Sequence, residues 1–277
     1  MLRVGTRGSA LALAQARWVA GQLAEPSELV EITTEGDRDR AAGDKSRWTG
    51  ALEAALQRGE IDLAVHSAKD VPAELGSGLA LVAAPPRAAA GDVLVGARSL
   101  DALPPGARVG TSALRRRAQL LAVRPDVEVV DLRGNVDTRL RKLAAGEADA
   151  LVLARAGLER LGLDPESADL DGELFVPAPG QGVLALQARD DDARARSAAA
   201  ALDDPATAAC LAAERTAVQA LGASCHTPVG VHADGRRIRG FAGLADGSAW
   251  ILDEVDGLDG EALARRMLAA GAAEMLA

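Results

Sequence analysis

The sequence predicts an α/β protein of two similar lobes, followed by a small α+β domain. Three observations carry this. Apolar strand-like runs alternate with helical stretches through the first two-thirds of the chain. The alternation breaks at Pro85-Pro86 and then resumes in the same rhythm, which implies two lobes rather than one large sheet. Towards the C-terminus the rhythm changes to strands parted by Asp234-Gly235 and Asp246-Gly247, which signal hairpins. A length of 277 residues suits two or three domains, and 48% hydrophobic content is ample for their cores.

The elements follow in order. Residues 2–5 read as a strand, and Thr6-Arg7-Gly8-Ser9 as a turn able to cap a helix from Ala10 to about Leu23, with Leu11, Ala14 and Trp18 at helical spacing. Residues 29–33 form a second strand. The polar, Gly-containing stretch 34–45 lacks a hydrophobic face and reads as a mobile loop or lid. Residues 48–57 are helical, 61–65 a buried strand and 79–83 a further strand. In the second lobe, 93–95, 108–110, 127–132 and 150–153 are strands. Helices are expected from Thr111 to about Val123, up to Ala145, and over 154–161. After a break from Val176 to Gly182, residues 183–187 are a strand, 190–202 a helix, and Pro205 opens a helix ended by Gly222. Strands over 229–232, 237–244 and 249–255 precede a closing helix from Glu261 to Met275. The division expected is residues 1–86 with 183–202, then 87–182, then 203–277.

No run reaches the ~18 apolar residues that span a bilayer. The N-terminal Met1-Leu2-Arg3-Val4-Gly5 lacks the pattern of a secretory signal, so a cytoplasmic protein is expected, with no membrane partner. A net charge of −9 argues against nucleic acid as a partner. Cys210 and Cys225 are too few for a disulfide framework. The basic residues are nearly all arginine, the lysines being Lys45, Lys69 and Lys142. Arginine grips carboxylates and phosphates in a bidentate fork.

The strand 61–65 runs into His66-Ser67-Ala68-Lys69-Asp70-Val71-Pro72. An Asp beside a Lys at the carboxyl end of a core strand lies where open α/β sheets place their chemistry; alone, it reads equally as a solvated ion pair. Three strand ends carry arginines next to helix starts: Arg7 with Ser9; Thr111 and Ser112 with Arg115 and Arg116; Arg133 and Asn135 with Arg139. Helix starts attract anions, and an arginine adds a charge-assisted grip. Three such places on two lobes suggest an extended polyanionic ligand; coincidence in an Arg-rich chain is the competing account. Cys225 lies in the loop Leu221 to Pro228. It is open to reading as a nucleophile, a covalent attachment point or a buried structural thiol. Cys225-His226 is not a usual chelate spacing, and no metal site is expected.

In their order and spacing these segments resemble the hydroxymethylbilane synthase (porphobilinogen deaminase) family almost end to end. The resemblance is carried by Thr6-Arg7-Gly8-Ser9 with Gln15, by residues 62–72, and by Val109 to Arg116. It continues in Leu132-Arg133-Gly134-Asn135-Val136 with Thr138-Arg139-Leu140, Ala156-Gly157-Leu158 with Arg160-Leu161, Pro179-Gly180-Gln181-Gly182, and Gly222 to Gly230. It implies two periplasmic-binding-protein-like lobes with mixed five-stranded sheets, and a C-terminal domain with a three-stranded sheet. The implied reaction joins four porphobilinogen units head to tail with loss of ammonia, then releases the linear tetrapyrrole by hydrolysis. The implied cofactor is dipyrromethane, in thioether linkage to Cys225. Asp70 takes the catalytic role. Lys69, Ser67, Thr111, Ser112, Arg115, Arg116, Arg133, Gly134 and Asn135 fall to the cofactor. Arg7, Ser9, Arg133, Arg139, Arg160 and Gln181, the last expected at an interlobe strand, fall to the substrate. Lys45 and Trp48 belong to the lid. The resemblance also implies a monomer.

The chain departs from the family pattern at several points. Ala113 stands where serine is frequent, Ala41 replaces one of two lid lysines, Trp48 stands for phenylalanine, and Thr34-Glu35-Gly36-Asp37 replaces Thr-Arg-Gly-Asp. A non-enzymatic two-lobe protein that binds a small anion would share the fold.

Overall fold

The computed structural model describes residues 1–34, 46–171, 173–224 and 227–276, without the side chains of Ser46 and Arg47. The described residues fall into two compact units, 1–88 with 182–211 and 89–181 with 212–277.

The first unit is built on a five-stranded sheet of β1 (Leu2–Thr6), β2 (Ser27–Glu31), β3 (Leu63–Ser67), β4 (Leu79–Ala83) and β10 (Leu184–Arg189), in the order β2-β1-β3-β10-β4. β1 runs parallel to β2 and β3, whereas β10 is antiparallel to both β3 and β4. Both faces are covered, so the central strands are apolar on both sides. Helices α1 (Ala10–Gln22) and α6 (Ala193–Ala200) cover one face through Ala16, Val19, Ala195 and Ala199. Helix α2 (Ser46–Gln57) covers the other, packing Leu52, Ala55 and Leu56 against Ile61, Ala64 and Leu79. Ser9 caps α1 as expected, its Oγ accepting from the Ala12 N–H at 3.3 Å. The buried face of α1 differs from the expected one. It carries Gln15, Ala16 and Val19, while Trp18 is 47% exposed. Alanines on every side of this helix leave its periodicity without a clear direction.

The second unit repeats this topology with β5 (Asp92–Val95), β6 (Arg108–Gly110), β7 (Glu128–Val130), β8 (Ala150–Ala154) and β9 (Ser167–Leu170), in the order β7-β6-β8-β5-β9. Here β5 is the antiparallel strand. Helix α3 (Leu114–Val123) packs on one face; α4 (Val136–Ala144) and α5 (Arg155–Arg160) pack on the other. The edge strand β9 was not expected, because Ser-Ala-Asp-Leu shows neither an apolar run nor alternation.

The same unit contains the antiparallel sheet of β11 (Val229–Ala233), β12 (Arg237–Gly243) and β13 (Trp250–Asp256). It follows α7 (Pro205–Ala220) and carries α8 (Gly260–Ala269) and α9 (Ala272–Leu276). The single closing helix expected is two, divided at Gly271, whose φ of +99° favours glycine and ends a helix. Phe241 and Leu252 of this sheet pack with Ala118 on the back of α3. Among the described residues no helix is long and apolar enough to cross a membrane.

Candidate active site

In the first unit the expected residues gather beyond the carboxyl ends of β1 and β3. After Ser67 the chain makes one 3-10 turn, Ala68–Asp70. Ala68 donates its N–H to the Val183 carbonyl at 2.9 Å, and Val71 donates back to Ala68 at 3.1 Å. Ala68 and Val71 are buried on either side, which fixes the partly exposed Lys69 and Asp70 between them. The Ser67 hydroxyl accepts from Gln15 Nε2 at 3.0 Å. The Arg7 guanidinium lies 4.0 Å from the ring centroid of Trp48, a cation–π contact that ties the first turn of α2 to the end of β1. Trp48 is therefore a partner of Arg7 in this structure. Lys45 and the rest of the expected lid, 35–45, lie outside the described residues.

Behind this turn is a polar network that sequence reasoning missed. His66 and Gln187 are buried on the α2 face of the sheet. Gln187 Nε2 donates to Glu53 Oε1 at 2.8 Å, so its Oε1 is turned to His66 Nε2 at 3.0 Å. That pairing sets the proton of His66 on Nε2. Burial pushes the imidazole pKa down to about 4, although Gln187, Glu53 and Asp70 favour the charged form. The ring is neutral at physiological pH.

In the second unit the expected residues cluster beyond β6 and β7. Thr111 N–H donates to Val130 O at 3.0 Å, and the Thr111 hydroxyl accepts from Ala113 N at 3.3 Å. Arg139 reaches across from α4, giving Nε–H to Gly134 O at 2.8 Å and Nη2–H to the Ser112 hydroxyl at 3.3 Å. Gly134 has φ +132°, and a Cβ there would lie 2.8 Å from Thr138 Cγ2. Asn135 stands at the N-cap position of α4 without a side-chain capping bond. Arg133 is exposed and pairs with Asp131 at 2.9 Å. Arg160 ends α5, partly buried, its pKa lowered by desolvation.

Arg115 and Arg116 are not solvated arms at a helix start. They are 5% and 6% exposed and share one carboxylate, that of Asp92, itself 3% exposed. Arg115 Nη2 meets Asp92 Oδ2, and Arg116 Nη2 meets Oδ1, each at 2.8 Å. Arg115 Nη1 also donates to Gln119 Oε1 and Val176 O, both at 2.9 Å, and Arg116 Nη1 donates to Val152 O at 3.0 Å. The buried Nε–H of Arg116 has no hydrogen-bond partner among the described residues. Gln181, expected on a strand, sits in the loop before β10 and gives Nε2–H to Asp92 Oδ1 at 2.8 Å and Ala90 O at 2.6 Å. The two guanidinia hold Asp92 far below the usual carboxylate range, against the opposing effect of its burial. Two cations thus face one anion in a buried site. Asp92 escaped the sequence reading: its one local signal is an acid heading the apolar run Val93-Leu94-Val95.

The three-stranded sheet reaches this cluster through β11. Val231 N–H donates to Pro177 O at 3.0 Å. A Cβ on Gly230 would lie 2.5 Å from Val176 O and 3.1 Å from Arg115 Cδ, so only glycine admits this approach. Fully buried Glu214 accepts from Gly180 N at 2.6 Å and Ala233 N at 2.8 Å. Cys225 and His226 lie outside the described residues; Cys210 is buried on α7. Among the described residues no group of three His, Cys, Asp or Glu side chains is arranged to hold a metal ion.

Two family models match nearly the whole chain: the porphobilinogen deaminase dipyrromethane cofactor binding domain over residues 2–197, and the porphobilinogen deaminase C-terminal domain over 208–276. The chain belongs to the porphobilinogen deaminase family. The porphobilinogen deaminase of Rubrobacter xylanophilus is 46% identical, the match covering 99% of this chain and 96% of that protein. That of Xanthomonas euvesicatoria is 48% identical over 100% and 98%. That of a Roseiflexus species is 49% identical over 89% and 87%. Among solved structures, the VFT2 domain of Bordetella pertussis BvgS matches 78% of this chain and 91% of its own, at 18% identity and a TM-score of 0.42, too low to bear on function. For a porphobilinogen deaminase the donor set is apt. The cofactor of the matched domain is built from pyrroles bearing acetate and propionate groups. A buried site that, among the described residues, has one guanidinium in excess and an N–H lacking an acceptor fits a group rich in carboxylates.

Proposed function

We propose that this chain is the transferase that condenses four porphobilinogen molecules head to tail, releasing ammonia at each addition, then frees the linear hydroxymethylbilane for tetrapyrrole synthesis. The full-length family match carries this reading. It does not favour the alternative of a non-enzymatic anion-binding protein.

The dipyrromethane group, when bound, supplies the primer pyrrole that is extended. Cys225 would hold it. Gly230, five residues on in the sequence, is packed at Arg115. Arg115 and Arg116, with Thr111, Ser112, Arg133, Gly134, Asn135, Ser67 and Lys69, would receive the cofactor's carboxylates. Arg7, Ser9, Arg139, Arg160 and Gln181 would serve those of incoming and growing pyrroles. Loss of ammonia leaves a methylene-pyrrole cation on the substrate. A carboxylate aimed at pyrrole N–H groups stabilises that charge as it develops, and Asp70, pinned by the turn after β3, is the residue assigned to it. It can also take or return the proton at pyrrole nitrogen. The domain division of 1–86 with 183–202, 87–182 and 203–277, a monomeric state and a cytoplasmic location complete the proposal.

The test is the intact mass of denatured protein from a host that makes porphobilinogen, with an Ehrlich-type colour reaction for pyrroles. The expected result is a covalent adduct of two pyrrole units that vanishes, with activity, in Cys225→Ser. Unmodified wild-type protein, or an adduct surviving in Cys225→Ser, would refute the assignment.

A further inference from the structure

We infer that Asp92 is the positioning residue for the arginine pair, an ionic splint that sets Arg115 and Arg116 in the geometry the cofactor's carboxylates require. The inference rests on the proposed placement of the cofactor at these arginines. Three features carry it.

The first is the division of the carboxylate. Oδ2 takes Arg115, and Oδ1 takes Arg116 together with Gln181, so each guanidinium is held from its own side. The second is support from behind. Gln119 Nε2 donates to the same Val176 carbonyl that receives Arg115 Nη1, both at 2.9 Å, so Arg115 is braced from its own helix and from the 176–177 segment. Asp92 is the first residue of β5, paired to Ala154 on one side and Leu170 on the other. A carboxylate on a doubly paired strand is a stiffer support than one on a loop. The third is the charge count. One carboxylate against two guanidinia makes the pair rigid and still leaves one positive charge for an incoming anion. Two carboxylates would have closed the site electrostatically, and none would have left two buried cations repelling each other.

A splint acts on loading of the cofactor before any turnover. The test uses full-length protein made in a host unable to form porphobilinogen. It is incubated with increasing porphobilinogen, at a temperature well below the melting point of every variant, and loading is read by intact mass. Asp92→Asn is expected to raise the concentration for half-loading at least tenfold. Asp92→Glu, which keeps the charge but moves it by one methylene, is expected to raise it at least threefold. Arg116→Gln is expected to raise it at least tenfold. Asp92→Asn added to Arg116→Gln is expected to raise it at least threefold further, because Asp92 Oδ2 still holds Arg115 when Arg116 is gone.

Half-loading within twofold of wild type in a folded Asp92 variant overturns the inference, whatever has happened to its melting temperature. If neither single Asp92 variant folds, the double variant decides, since it removes a cation together with the anion. Half-loading within twofold of that of Arg116→Gln alone then overturns the inference, and a larger rise supports it, since Asp92 Oδ2 holds Arg115 independently of Arg116. Wild-type loading by Arg116→Gln has a different meaning: the cofactor is not held at this cluster, and the underlying placement falls.

Discussion

His66 gives the fold a pH dependence of predictable sign. In the folded chain its pKa is near 4; its ordinary value is 6.5. The unfolded chain therefore takes up a proton as pH falls through 6.5, and the folded chain does not follow until about 4. Stability is fully present above 6.5 and is lost as pH drops through that window. The whole displacement is worth about 3 kcal/mol, of which about 2 kcal/mol falls between pH 7 and pH 5. His66→Gln isolates this contribution, because an amide can still donate to Gln187 Oε1 but cannot titrate. Thermal unfolding of both proteins at pH 7, 6 and 5 is the assay. Wild type should lose about 2 kcal/mol more than the variant across that range, roughly 4–8 °C more in melting temperature. Carboxylates elsewhere, such as Asp62 held low against Arg3, affect both proteins alike and cancel. Parallel curves, within about 0.5 kcal/mol of each other at every pH, would show that His66 is not buried neutral, and the argument would fail.

Asp70→Asn should fold with wild-type melting temperature and load its cofactor, yet lose about 10²–10³ in turnover, the scale of removing one electrostatic stabiliser; near-normal turnover in steady-state assays would remove Asp70 from its role. Gly230→Val should cost about 1–3 kcal/mol by overpacking, since its Cβ meets Val176 O at 2.5 Å, and should slow cofactor loading; an unchanged melting temperature would show that β11 does not rest on Arg115 as described.

The two lobes were legible because parallel strands buried on both faces are written as unbroken apolar runs, and helices between them as longer amphipathic stretches. Ser9 was legible as a cap for the same local reason. What escaped depends on partners distant in sequence. Asp92 meets arginines 23 and 24 positions away. Gln187 lies 121 positions from His66 and 134 from Glu53. No local pattern announces such pairs. Arginines at a helix start read as surface anion hooks, and only the fold shows that Arg115 and Arg116, in the first turn of α3, are buried and already share a counter-ion. The resemblance to the family assigned roles to residues on turns and helix starts, and none to Asp92, His66 or Glu53.

The repeated sheet explains where these supports come from. In each five-stranded sheet one strand runs against the others: β10 in the first, β5 in the second. Parallel strands deliver their site residues after they end, in turns such as 67–70 or 111–113. A reversed strand instead begins at that same end, so its early residues lie level with those turns while still held in ladder hydrogen bonds. Asp92, first in β5, pairs with Ala154 at the carboxyl end of β8. Leu184, first in β10, pairs with Ser67 at the carboxyl end of β3, and Gln187 follows three residues on. Both reversed strands thus carry a buried polar side chain to or just behind the expected site residues: Asp92 to Arg115 and Arg116, and Gln187 to His66, which precedes the Asp70 turn. Groups that meet ligands can then lie on turns and helix starts, while the groups that hold them lie on strands fixed from both sides.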